Sequence, residues 1–172
     1  MALLDAGKTV EDGWAKVEDG EPLPEGQPAL VSLARFQCDG EALAGRNAPL
    51  GVLLPSNTKP EAVADLLDRV TLVAIQFPVS KDGRGFTIAR ALRERYHYAG
   101  EIRAVGHTLP DQYVHLLRCG FNTVETPEGT NPARWTEALG FYDIAYQPAI
   151  TDDPPLSLLR RHLAVADLRK PQ

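Results

Sequence analysis

Apolar and polar positions divide the chain into two unlike stretches. Before Leu50 the apolar residues come in short, separated runs. Lys8-Thr9-Val10 and Trp14-Ala15-Lys16-Val17 flank Glu11-Asp12-Gly13, a pattern that predicts a β-hairpin around an Asp-Gly turn. Residues 18–28 hold three prolines, two glycines and four acids and read as a loop. Ala29-Leu30-Val31-Ser32-Leu33 reads as a strand, and residues 37–49 are polar and broken by glycine.

From Leu50 onward, short apolar runs alternate with amphipathic segments, the mark of β-α repetition. Gly51-Val52-Leu53-Leu54 is a strand. Thr58-Lys59-Pro60-Glu61 has the form of a capping box with proline in the first turn, and Val63, Leu66, Leu67 and Val70 follow at helical spacing. Leu72-Val73-Ala74-Ile75 is continuously apolar, as a strand covered on both faces requires. Residues 85–98 give the clearest helix, with Ile88 and Leu92 on its apolar stripe. Glu101-Ile102-Arg103-Ala104-Val105 is the next strand. A helix opening at Thr108-Leu109-Pro110-Asp111 buries Tyr113, Leu116 and Leu117 and ends at Gly120. A short strand over 122–125 and a helix from Asn131-Pro132 through Trp135, Leu139 and Tyr142 complete the series.

The expected fold is therefore α/β: repeated βα units with a mainly parallel sheet, either an open three-layer sandwich or a partial barrel, preceded by a β-rich N-terminal segment. The expected divisions are a β-rich segment at 1–49, a βα-repeat domain at 50–147, and a linker with a short helix at 148–172. In either architecture, sites gather at the carboxyl ends of the strands. The loops there are 55–59, 77–85, 106–110 and 126–131.

Composition narrows the function classes. The 172 residues are 44% hydrophobic, ordinary for a folded domain. No apolar run approaches the roughly 18 residues that span a bilayer, and residues 1–13 lack a secretory signal pattern. Two cysteines, Cys38 and Cys119, make neither a disulfide framework nor a full cluster-ligand set. A cytoplasmic location is expected. Net charge is −5, which argues against nucleic acid as a partner. The charge is uneven, however. Residues 1–68 carry 5 Lys/Arg against 12 Asp/Glu, while residues 81–103 carry 6 against 3. One basic segment in an acidic protein suggests a local anion or acidic-partner site, and a solvated helix face is the competing reading.

Lys81-Asp82-Gly83-Arg84-Gly85-Phe86 lies between a buried strand and a helix start. Its glycines permit close backbone approach, a helix N-terminus offers N–H groups to an anion, and Lys81 and Arg84 add charge. It is neither a Walker loop nor a dinucleotide fingerprint, and a plain turn capped by Asp82 is the alternative. His107 follows the next strand on the same edge, where a histidine serves as acid, base or anion ligand. Asp111, a first-turn acid, and Gln112 complete the candidate set. Cys119 sits at a helix C-terminus and reads as a small buried hydrophobe. His97, His115 and His162 lack metal-ligand spacing, so no metal is expected.

The run Phe77-Pro78, Asp82-Gly83-Arg84-Gly85-Phe86-Thr87, Ala89-Arg90, Leu92-Arg93, Arg95, Gly100-Glu101-Ile102-Arg103-Ala104, Gly106, Asp111-Gln112 and Arg118-Cys119-Gly120-Phe121 reads as one long signature. It resembles a bacterial family of unknown function whose genes lie beside assimilatory sulfite reductase and whose members are often labelled oxidoreductases of sulfite reduction. The resemblance is close over residues 77–121 and extends over 50–146. It implies a role in sulfur assimilation but brings no catalytic residues. Two functions follow as expectations. One is an accessory protein that binds an oxyanion or docks on the sulfite-reducing machinery. The other is a small enzyme, an oxidoreductase among the options, acting at the loop edge around Asp82, Arg84 and His107. No flavin, haem or cluster motif is present, so no cofactor is expected. A homo-oligomer is expected.

Overall fold

The computed structural model describes residues 1–141 and 149–150. The expected helical positions Tyr142 and His162, and the segment 148–172 apart from 149–150, lie outside the described residues. In chain order the elements are β1 (Leu3–Asp5), β2 (Lys8–Val10), β3 (Ala15–Lys16), β4 (Ala29–Ser32), α1 (Leu33–Cys38), α2 (Gly40–Ala44) and β5 (Leu50–Leu54). A 3-10 helix (Pro60–Arg69) follows, then β6 (Leu72–Phe77), α3 (Arg84–Glu94) and β7 (Glu101–Gly106). A 3-10 turn (Pro110–Gln112), α4 (Tyr113–Arg118), β8 (Thr123–Glu125) and α5 (Pro132–Ala138) close the series.

All eight strands form one sheet in the order β2-β1-β8-β7-β6-β5-β4-β3. The pairings from β3 through to β8 are parallel, and only β1, against β2 and β8, pairs antiparallel. The strands β6 and β7 lie at the centre, with Leu72 opposite Glu101 and Phe77 opposite Gly106. Their apolar runs are consistent with that place: Leu72, Val73, Ala74, Ile75, Ile102 and Ala104 are all fully buried. One face of the sheet carries Val52, Leu54, Val73, Ile75, Phe77, Ile102, Ala104 and Val124. It packs under the helices through Val63, Leu66, Ile88, Leu92, Leu116 and Trp135.

The opposite face is concave, and strand order shows why. The edge strands β2 and β3 lie at opposite ends of the sheet, yet only residues 11–14 join them. Seven strand spacings in a flat sheet would cover about 34 Å. Five Cα steps reach at most about 18 Å. The sheet must therefore curl, and it forms a half-barrel. Side chains meet across the hollow: Lys16 Nζ donates to both carboxylate oxygens of Glu125 on β8, at 2.7 and 2.6 Å. Trp14 packs with Leu30, Leu53, Leu72, Ala74 and Val105 on this face, over Gly51, where a Cβ would stand 3.0 Å from the indole.

Three local expectations are corrected. The predicted hairpin does not form: β2 pairs with β1, and β3 pairs in parallel with β4. The Asp-Gly turn is instead the strap between opposite edges, with the Trp14 N–H donating to Asp12 Oδ1 at 3.2 Å. Residues 33–44, expected to leave a strand for a broken loop, form α1 and α2, and Ser32 Oγ caps the first by accepting from Arg35 N at 3.0 Å. The expected capping box is absent: Lys59 holds the N-cap position without a side-chain bond. Among the described residues, no helix is long and apolar enough to cross a membrane.

Candidate functional site

Loops 55–59, 77–83 and 107–109 all leave the carboxyl ends of adjacent strands, because β5, β6 and β7 run parallel. The candidate residues are thus brought to one edge by topology. At its centre, four donors converge on one carboxylate. Asp82 Oδ1 accepts from Arg84 N at 3.1 Å and from Arg84 Nε at 2.9 Å. Asp82 Oδ2 accepts from Arg84 Nη2 at 2.7 Å and from Ser56 Oγ at 2.6 Å. The Arg84 side-chain bonds first, then the Ser56 hydroxyl, hold the Asp82 carboxyl well below the usual carboxylate range. Asp82 in turn raises the guanidinium of Arg84.

The consequence is that the α3 N-terminus already has an anion, supplied by its own chain. An external oxyanion must therefore use what Asp82 leaves open. Arg84 spends its Nε and Nη2 on Asp82 and Ser56, while among the described residues Nη1 makes no hydrogen bond. The Arg84 side chain is 60% exposed. Lys81 is exposed and makes no bond among the described residues.

The two glycines serve different ends. A Cβ on Gly83 would meet open space, consistent with free approach from solvent. A Cβ on Gly85 would stand 2.5 Å from the ring of Phe77, so Gly85 is required by packing. Phe77, Phe86 and Phe121 form an aromatic cluster under the site, with ring centroids 5.4 to 6.4 Å apart.

His107 is exposed, and its backbone N–H donates to Phe77 O at 2.8 Å, which fixes the loop after β7 against the end of β6. Gln112 ties the two loops together. Its Nε2 donates to Ser80 O at 2.8 Å, and its Oε1 accepts from Leu109 N at 3.0 Å. Gln112, rather than Thr108, therefore satisfies the start of the 3-10 turn. Asp111 lies exposed in that turn.

The basic signature residues divide by role. Arg93 is a staple: Nε donates to Gly120 O at 3.0 Å, Nη1 to Gly100 O at 2.8 Å and to Tyr98 O, and Nη2 to Asn122 Oδ1 at 2.5 Å. Burial lowers its proton affinity. Arg90 and Arg95 make exposed ion pairs with Glu94 and Glu61. Cys119 is buried, and burial pushes its thiol up, which opposes a nucleophilic role.

Sequence reasoning missed Ser56 and a polar network on the concave face. Arg103 on β7 is 1% exposed, yet Nη1 pairs with Asp12 Oδ1 at 2.9 Å and Nη2 with Glu101 Oε1 at 3.0 Å. Thr123 Oγ1 donates to the same Glu101 oxygen at 2.5 Å. The available signal was Arg103 itself, a charge inside an apolar strand run. Among the described residues, no group of three or more His, Cys, Asp or Glu is placed to hold a metal ion.

No curated protein and no solved structure matches the chain. A family model matches residues 51–157, from the second residue of β5 through α5, with every candidate residue at the loop edge. The chain belongs to the bacterial proteins of unknown function grouped as DUF934.

Proposed function

We propose that this protein is an accessory binding protein of sulfite reduction in sulfur assimilation, and that it takes a small oxyanion, sulfite or its like, at the edge formed by the loops after β5, β6 and β7. The observation that carries this reading is the half-spent guanidinium of Arg84, anchored through two nitrogens and, among the described residues, open at Nη1, in the same loop as Lys81, which makes no bond among those residues. An arginine fixed on one side loses little further freedom when it binds an anion on the other. The partner side of the reading, docking on the sulfite-reducing machinery, rests on the family resemblance.

The test is an NMR titration of the labelled chain with sulfite, and with chloride at equal ionic strength. Amides of residues 80–86 and 106–112 should shift saturably with sulfite alone. Lys81→Ala, which removes no bond within the described chain, should weaken binding roughly tenfold, the worth of one charge-assisted contact of about 1.5 kcal/mol. Arg84→Ala should abolish it. Unsaturable shifts, or affinities indifferent to both substitutions, would end the proposal.

A further inference from the structure

Residues 1–10 pair β1 with β2, and β1 pairs on its other side with β8, more than a hundred residues along the chain. Leu3, Leu4 and Asp5 pair with Glu125, Val124 and Thr123 of β8. Ala2 exchanges bonds with Thr126: its N–H donates to the hydroxyl at 3.1 Å, and its carbonyl accepts from Thr126 N at 2.8 Å. Gly7 N donates to the Tyr113 hydroxyl at 2.8 Å, and Gly7 O accepts from Thr136 Oγ1 at 2.7 Å. All these partners lie in residues 113–136, whereas the next strand along the chain, β3, belongs to the other edge of the sheet.

We propose that residues 1–10 are an exchangeable arm, docked in cis in the closed half-barrel and in trans between two copies of this chain. Three features of the fold support it. The hinge is only the four residues 11–14, and short hinges that must turn back across a structure favour the extended, exchanged form. Leu3 and Leu4 are buried against β8, so a displaced arm carries its own apolar anchor. Every bond of the arm to β8, Tyr113, Thr126 and Thr136 is re-made unchanged against a second copy, because the partner surface is the same surface. The occupant of an opened β8 edge is therefore the same arm from another copy. What holds the closed form is the strap: the Asp12-to-Trp14 turn and the Asp12–Arg103 pair.

The test uses two single-cysteine variants, Leu4→Cys and Val124→Cys, each in a background where both native cysteines are replaced, Cys38→Ser and Cys119→Ser. They are mixed, unfolded, refolded together at a series of concentrations, and oxidised. Leu4 and Val124 are register partners, so a disulfide between the two variants forms only when an arm has crossed. A covalent heterodimer on a non-reducing denaturing gel, rising with refolding concentration, is the expected result. A second measurement does not depend on these substitutions at buried positions. Deleting Gly13 shortens the hinge and should convert the chain to a dimer by light scattering, while inserting three glycines after Gly13 should keep it monomeric. No heterodimer at any concentration, with the Gly13 deletion still monomeric, would overturn the proposal. If the cysteine variants fail to refold, the Gly13 deletion decides alone: a dimer supports exchange and a monomer refutes it.

Discussion

Arg103→Met is the sharpest perturbation of this fold. Methionine keeps most of the side chain's length and removes only the charge and its donors. The guanidinium is 1% exposed and neutralises two carboxylates, Asp12 and Glu101. Breaking a buried pair by removing one partner costs about 3–5 kcal/mol. The orphaned side chains of Asp12 and Glu101 retain 30% and 26% exposure, so water recovers part of that loss. The expected destabilisation is then about 2–3 kcal/mol. In a domain of this size that lowers Tm by about 6–10 °C. Urea unfolding at neutral pH and low salt measures it directly. The exposed Arg90–Glu94 pair supplies the contrast, since Arg90→Ala should cost no more than about 0.5 kcal/mol. Adding Asp12→Asn and Glu101→Gln to Arg103→Met should recover at least half of the loss, because no uncompensated charge remains. A single Arg103→Met variant within about 0.5 kcal/mol of wild type would refute the claim that this network holds the concave face.

Other expectations concern the loop edge. Gly106→Ala should destabilise by about 2 kcal/mol or more, since φ there is +96° and a Cβ would lie 2.5 Å from Phe77 O; an unchanged unfolding midpoint would contradict this. Gly85→Ala should lose about 1–2 kcal/mol, the overlap with Phe77 outweighing the better helix propensity of alanine, as thermal unfolding will read. Asp82 has a lowered folded-state value, so its contribution is complete above the ordinary carboxylate value of 3.8 and is lost as pH falls through the lower folded value. The Tm gap between wild type and Asp82→Asn should therefore be open at pH 7 and close in acid; a gap that widens in acid would reverse the assignment.

The centre of the sheet was legible because its residues leave little choice. Leu72 to Ile75 is apolar on both faces, Ile102 to Val105 is apolar but for Arg103, a helix separates the two, and they pair in parallel in one register. The edges were not legible. Lys8-Thr9-Val10 and Ala15-Lys16 carry the alternation and the Asp-Gly of a hairpin, but the pairing is decided by partners more than a hundred residues away for β1 and by β4 for β3. Local turn chemistry lost to long-range burial, as it does when Leu3 and Leu4 must find a core. At the site, the meeting of Asp82 with Arg84 was readable from their spacing, and Asp82 as a cap was among the readings. Ser56 was not, because it reaches Asp82 from another loop. Gln112 looked idle in sequence because both groups it binds are backbone atoms, which no side-chain pattern reveals.

The sheet ends on two very short strands: β2 has three residues and β3 has two, and each includes an exposed lysine, Lys8 and Lys16. Long apolar edges are templates for pairing with other chains, and brief, charged edges deny them that role. The apolar runs of β5, β6 and β7 thus never reach solvent as an unpaired border. The protection comes from residues that precede the family region, which begins at residue 51. A chain cut back to that region would present the borders of β5 and β8 bare, and it should precipitate where the full chain stays dispersed.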